Sequence, residues 1–269
     1  MQKISFKIVS IIFGFWALVI NAQKPVSNIN TYAVIVGISE YECISDLNLS
    51  AADAKAMSYL FDTLYNAKVK LLLDQEATTS NILNAIDSTF SYAKPNDLVF
   101  LFFSGHGYPG GFCNYEFNAP GCKYLTFDQI AHLFSKCKAK RKIIMADACH
   151  SGKFRNNNNK QEDSLLQDKI KKSQILLFLS SRGNELSWET PSMKNGFFTT
   201  YLLEAYSGKA DLNKNGKLTA IELFKYVHPK VVNATMGRQH PVMWGNFNKG
   251  LIIHNFKAQV LPCDAQQPP

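Results

Sequence analysis

Five short runs of apolar residues, Tyr32 to Ile38, Lys68 to Leu73, Leu98 to Phe103, Lys142 to Ala146 and Ile175 to Leu179, constrain this chain more than any other feature. They are rich in Val, Ile, Leu and Phe and short for helices, so they read as strands covered on both faces. Between them, Ala51 to Tyr65, Thr79 to Ala93 and Phe127 to Lys138 space their apolar residues three and four apart, as amphipathic helices do. Strands joined through helices run parallel with right-handed crossovers, so the expected fold is α/β, three αβα layers around a mostly parallel sheet. Further helices are expected near Gly196 to Tyr206 and from Thr219 to about Val232, followed by a last apolar run from Gly250 to Phe256. With 46% hydrophobic and 19% charged residues, the composition is that of a globular chain, not of a disordered, collagen-like or coiled-coil one. No repeat or linker divides it, and one domain over residues 23–269 is expected.

The first residues have the three-part layout of a secretory signal: Lys3 and Lys7, an uncharged apolar run from Ile8 to Ile20, and the polar exit Asn21-Ala22-Gln23. Cleavage after Ala22 would remove residues 1–22. The apolar run falls short of the roughly 20 residues that a membrane-spanning helix needs, so a permanent anchor is the weaker reading and no stable membrane span is expected. The mature protein is therefore expected to be secreted or periplasmic, where disulfides form and millimolar calcium is available. The 29 Lys and Arg against 21 Asp and Glu give a formal charge of +8, but the lysines are dispersed, and nucleic acid is not an expected partner.

Two of the strands end in the same grammar. Leu98 to Phe103 runs into Ser104-Gly105-His106-Gly107, and Lys142 to Ala146 runs into Asp147-Ala148-Cys149-His150-Ser151-Gly152. Ligands of open parallel sheets bind just beyond the carboxyl ends of the strands, and adjacent strands lie about 4.8 Å apart, so His106 and Cys149 can face one cleft. A cysteine needs thiolate character to attack a carbonyl, and a neighbouring histidine favours the thiolate and later protonates the leaving amine. Gly105 and Gly107 would let a substrate backbone approach, and the N–H groups of Gly107 and Cys149 can hold an oxyanion. His150 is a rival base, although in extended chain it points away from the Cys149 side. The plainer alternative is a core thiol and a loop histidine. Asp147 stands two residues before Cys149 and so shares its side of the strand.

The runs YAVIVGISEY from Tyr32, DLVFLFFSGHG ending at Gly107 and IIMADACHSG ending at Gly152 resemble the caspase-type cysteine peptidases, most closely the bacterial metacaspase-like members. That resemblance implies a six-stranded sheet and a Cys149/His106 dyad. It also implies a pocket for the residue before the scissile bond, lined by Asp147, by Asp53 of the AADA run and by Ser104. Two carboxylates in such a pocket favour a peptide or protein substrate with Arg or Lys at that position. The segment 155–172, with Lys160, Lys169, Lys171 and Lys172, is by the same resemblance a place for activating self-cleavage, or else simply a solvated charge run.

Residues Asp211 to Glu222 follow the twelve-residue EF-hand pattern. Oxygen ligands to Ca2+ would come from Asp211, Asn213, Asn215, the Lys217 carbonyl, Thr219 and Glu222, with Gly216 at the sharp turn. Only Asp211 and Glu222 among these ligands bring negative charge, so the expected affinity is weak and suits an extracellular protein. Of the six cysteines, Cys113 and Cys122 bracket a loop just after His106; a disulfide between them and two free thiols are both open. Arg182, Glu185 and Glu189 are expected to form a rim of ion pairs. No phosphate loop, G-x-S-x-G elbow or dinucleotide fingerprint is present, so nucleotide and serine-hydrolase chemistry fall away. The leading expectation is a cysteine endopeptidase; a non-catalytic peptide-binding scaffold and a thiol acyl transferase on the same fold are the alternatives.

Overall fold

The apolar runs do become the strands of one sheet. The computed structural model describes residues 29–122, 124–148, 170, 172–182, 185, 193–248 and 250–256. Residues 1–22, Cys149, His150, Glu189 and nearly all of 155–172 lie outside the described residues. In chain order the elements are β1 (Thr31–Gly37), α1 (Ser50–Tyr65), β2 (Lys68–Leu73), α2 (Thr79–Phe90) and β3 (Leu98–Gly105). A small antiparallel sheet follows, β4 (Gly107–Tyr108), β5 (Gly111–Phe112) and β6 (Leu125–Thr126), then α3 (Phe127–Lys136), β7 (Arg141–Ala148) and β8 (Ile175–Leu179). The second half contributes α4 (Phe197–Glu204), β9 (Lys217–Thr219), α5 (Ala220–Ala234), β10 (Val242–Gly245) and β11 (Ile252–Asn255).

The main sheet has six strands in the order β10-β8-β7-β3-β1-β2, all parallel except the edge strand β10. Successive side chains of a strand point to opposite faces, and the core divides accordingly. Val34, Val36, Leu101 and Ile144 pack with Ile82 and Ile86 of α2 and Ile130 and Phe134 of α3. Ala33, Ile35, Phe100, Phe102 and Ile143 pack with Met57 and Phe61 of α1, Phe198 and Leu202 of α4, and Leu223 and Val227 of α5. The three-layer arrangement follows directly, because a sheet apolar on both faces leaves neither to water. The last apolar run does not join this sheet: as β11 it pairs with β9, and the sixth strand is the short, half-buried Val242–Gly245.

The register matters most for function. β3 and β7 pair with Ser104 opposite Asp147 and Gly105 opposite Ala148, so both chains leave the sheet side by side at the same edge. His106 follows the first, and the chain toward Cys149 follows the second. Gly37 at the end of β1 is a position where bulk is forbidden: a Cβ there would lie 2.4 Å from that of Ala54 and 2.6 Å from the Ser50 carbonyl. The first turn of α1 therefore sits directly on the sheet edge.

β11 carries a pH-sensitive group. His254 is 8% exposed with its ring against Phe256, and burial pulls its pKa down to about 4. The unfolded chain, titrating near 6.5, takes up a proton that the folded chain refuses, so this contribution to stability is present above that pH. It is lost as pH falls toward about 4, by up to about 3 kcal/mol. Urea unfolding at pH 7.5 and 4.5 is expected to show a smaller stability difference between the two pH values in His254→Gln than in the natural chain.

Candidate active site

His106 is held on three sides by groups that the apolar pattern of the sequence does not reveal. Its backbone N–H donates to the Tyr41 hydroxyl at 2.7 Å, its carbonyl accepts from the Cys113 N–H at 2.9 Å, and its ring lies 5.0 Å from the Tyr41 ring. Ring Nε2 is 2.8 Å from the Ser45 carbonyl. A carbonyl oxygen only accepts, so Nε2 carries the proton, and the neutral imidazole has Nδ1 available as its basic nitrogen. The loop that supplies Tyr41 and Ser45 is itself pinned. Asp74 accepts from the N–H groups of Ser39 and Glu40, Asp46 from that of Tyr41, and the Tyr115 carbonyl from that of Glu42.

Gly105 serves this arrangement rather than substrate access. A Cβ at that position would lie 2.6 Å from the Tyr41 hydroxyl and 3.0 Å from the Phe103 ring, so the missing side chain is what admits Tyr41. Gly107 begins β4 and is partly exposed. Cys149 lies outside the described residues, so of the expected pair the structure describes His106 and the chain leaving β7 at Ala148.

The three expected pocket residues do come together. Asp53, in the first turn of α1, is 1% exposed, and Asp147, near the end of β7, is 7% exposed. Ser104 donates through Oγ to Asp53 Oδ2 at 3.0 Å. The α4 end of the chain closes the group. Asn195 Nδ2 and the Gly196 N–H both donate to Asp53 Oδ1, at 2.9 and 3.0 Å, while the Thr199 N–H and hydroxyl both donate to Asp147 Oδ2, at 3.2 and 2.9 Å. A Cβ at Gly196 would lie 2.7 Å from Asp147 Oδ2 and 3.3 Å from Asp53 Oδ2, so both carboxyl groups crowd one α-carbon. Burial, and then the charge of Asp147, push the Asp53 carboxyl well above the usual range, against the pull of its three hydrogen bonds. Asn195, Gly196 and Thr199 were missed by sequence reasoning; the polar pair ahead of an expected helix was the one local signal.

In the loop from Asp211 to Glu222, Asp211 accepts from the N–H groups of Asn215 and Gly216, Asn213 Oδ1 from that of Asn215, and Asn215 Oδ1 from that of Lys217. Asn213 Nδ2 donates to Glu222 Oε1 at 2.7 Å, and Glu222 with Thr219 forms the capping box of α5. Gly216 has φ 78, the left-handed conformation that the turn requires. Among the described residues no three His, Cys, Asp or Glu gather as a metal site, in keeping with a loop of two acids and two amides.

Two peripheral expectations resolve differently. Cys113 and Cys122 carry free thiols: Cys113 is buried in the core, where burial pushes its thiol up to about 12, and no bridge to Cys122 forms. Arg182 and Glu185 do pair, at 3.7 Å, and Glu185 also binds the backbone and ring of His240.

Helices on both faces of a mostly parallel six-stranded sheet, with a histidine at the end of its third strand, define a caspase-like αβα protein. A family profile for the caspase domain matches residues 30–251, and the chain belongs to that family of cysteine peptidases. Vacuolar-processing enzyme of Ricinus communis is 32% identical over 155 residues, a match that takes in 54% of this chain but spans only 27% of that protein. Among solved structures, caspase-1 of Spodoptera frugiperda matches with a TM-score of 0.62 at 15% identity, over 87% of this chain and 93% of that one. A protein of Geobacter sulfurreducens matches with a TM-score of 0.59 at 18% identity, over 84% and 97% respectively. At these identities the two structures show the shared fold.

Tyr41 is the positioning residue to test. Tyr41→Phe removes the acceptor of the His106 N–H, a change worth about 1.4 kcal/mol, and is expected to lower kcat/KM for peptide cleavage roughly tenfold. The loss should fall on kcat with KM nearly unchanged. A lower melting temperature with kcat/KM unchanged would reduce Tyr41 to a packing role.

Proposed function

We propose that this protein is a secreted or periplasmic cysteine endopeptidase that cleaves after Arg or Lys, with Cys149 and His106 as its dyad. The observation that carries this reading is the pair of buried carboxyl groups, Asp53 and Asp147, set at the same sheet edge as His106. A cationic side chain is the ligand that such a pair calls for, and an arginine guanidinium can bridge both. The leader over residues 1–22 supports export.

The chemistry follows from the residues. The Cys149 thiol gives its proton to His106 Nδ1, and the thiolate attacks the scissile carbonyl carbon. The N–H groups of Gly107 and Cys149 hold the oxyanion. As the C–N bond breaks, the proton passes from His106 to the leaving amine, leaving a thioester. Water then adds with His106 as base, the C–S bond breaks, and the proton returns to sulfur. The Ser45 carbonyl keeps the imidazole in the tautomer and orientation that this sequence needs.

Calcium belongs to the same proposal. Asp211, Asn213, Asn215, the Lys217 carbonyl, Thr219 and Glu222 would hold it, an all-oxygen set suited to a hard cation. Its role is to brace the turn between α4 and α5. Millimolar calcium is expected to raise the melting temperature, a chelator to reverse this, and Glu222→Gln to abolish the response; a melting temperature indifferent to calcium would remove the ion from the account.

Fluorogenic peptides ending in Arg, Lys or Asp test the activity. Cleavage after Arg and Lys, lost in Cys149→Ala, is the expected result. Cleavage after Asp would keep the dyad and overturn the pocket. Products that form only with an added amine would indicate acyl transfer, and silence even after limited proteolysis would favour a peptide-binding scaffold.

A further inference from the structure

We propose that Ser180 is a positioning residue for the oxyanion site: its hydroxyl bonds both backbone groups of Ala148 and so sets the direction of the N–H that Cys149 offers to the oxyanion. This rests on the reading of Cys149 as nucleophile and oxyanion donor, and concerns what holds that donor in place.

β7 and β8 part at Ala148. Their last paired residues are Ala146 and Leu179, and the Ser180 N–H still donates to the Ala146 carbonyl at 2.9 Å. One step further, a parallel ladder would bring the Ala148 N–H to the Ser180 carbonyl. That carbonyl instead accepts from Gln239 Nε2 at 2.9 Å, and the Ala148 N–H donates to Ser180 Oγ at 3.1 Å. The same hydroxyl donates to the Ala148 carbonyl at 3.3 Å. A hydroxyl has one hydrogen to give and lone pairs to accept with, so one side chain serves both groups. The Ser181 hydroxyl, 3.3 Å from the Glu185 carbonyl, is a second and longer contact to that of Ala148, at 3.5 Å. Gln239 is held in turn, its N–H donating to the Thr235 hydroxyl at the end of α5 at 3.1 Å. Ser180, Ser181 and Gln239 are fully buried, so bulk water does not compete for these groups.

The Ala148 carbonyl belongs to the peptide unit that leads into Cys149. In a planar trans peptide the C=O and N–H point in opposite directions, so fixing the first directs the second. A hydrogen bond to the carbonyl also polarises the amide and strengthens its N–H as a donor. An oxyanion donor is most effective when it is aimed before the charge develops. A continued ladder would satisfy the Ala148 N–H and leave its carbonyl to other partners, whereas the Ser180 hydroxyl holds both.

Ser180→Ala tests this, with whichever of the fluorogenic Arg, Lys and Asp peptides the natural chain cleaves best. The expected result is a fall in kcat of about tenfold or more with KM within about twofold. The aldehyde of the same peptide takes sulfur on its carbonyl carbon and places the resulting oxyanion in the same site, so its affinity should fall by about the same factor. Alkylation of Cys149 by iodoacetamide, in which the thiolate displaces iodide and no oxyanion forms, should keep its rate. Gln239→Met, which frees the Ser180 carbonyl to reclaim the Ala148 N–H, should show a smaller loss of the same pattern. A lower melting temperature with kcat and aldehyde affinity unchanged would overturn the proposal and leave Ser180 as a strand-end partner. Alkylation that slows in step with kcat would overturn it by placing the effect on the thiolate. A natural chain that cleaves none of the peptides, with Cys149 alkylated no faster than the exposed Cys43, would overturn the reading of Cys149 and this proposal with it.

Discussion

The pairing of β3 with β7 is the constraint on which the rest of this molecule depends. Both strands are buried along nearly their whole length, flanked by further parallel strands, so each backbone group is committed to the sheet and each side chain to one of two cores. A shift of one residue would turn every apolar side chain to the wrong face. The register is therefore set by packing alone. It places Ser104 beside Asp147 and starts the chains toward His106 and Cys149 from neighbouring positions. The polar edge at which His106 and Asp147 lie is a by-product of the way the interior is packed.

Around that edge several polar groups are buried together, and they come from different parts of the chain. Asp53 comes from the first helix, Ser104 and Asp147 from central strands, Asn195, Gly196 and Thr199 from the entry to α4. A buried carboxyl group without hydrogen bonds costs several kcal/mol, and a partly satisfied network is worse than an apolar one. Three donors on Asp53 and two on one oxygen of Asp147 offset that cost. They also fix α4 against the sheet edge, and Phe198 against Phe178 reinforces the contact from the apolar side. The C-terminal end of the same helical stretch leads into the loop at Asp211, whose internal hydrogen bonds connect it to α5. The carboxyl cluster and the polar loop are thus two ends of one packed unit.

Much of this is legible in the order of the residues. The five central strands and α1, α2 and α3 follow from continuous apolar runs and from apolar spacing of three and four, with ends that move by only a few residues. Asp53 and Ser104 are reached through resemblance to a family, because nothing local marks an aspartate in a helix as buried. What stays hidden has physical reasons. Val242–Gly245 is four residues long and half-buried, so its apolar signal is weak. The Ser45 carbonyl is a backbone atom, and residue identity says nothing of where a carbonyl points. Gly105 reads as space for a ligand, whereas the structure fills that space with Tyr41.

The layers, the central strands and the two strand ends at which small residues surround His106 and Cys149 can be read from residue order, because apolar periodicity and strand-end position are properties of neighbouring residues. Which groups meet there is fixed by contacts between segments far apart in the chain. Asn195 lies 142 positions along the chain from Asp53, and Ser45 lies 61 from His106. Contacts over such separations arise when burying two faces of a sheet brings distant segments to one edge, and that closure is a property of the whole packed chain.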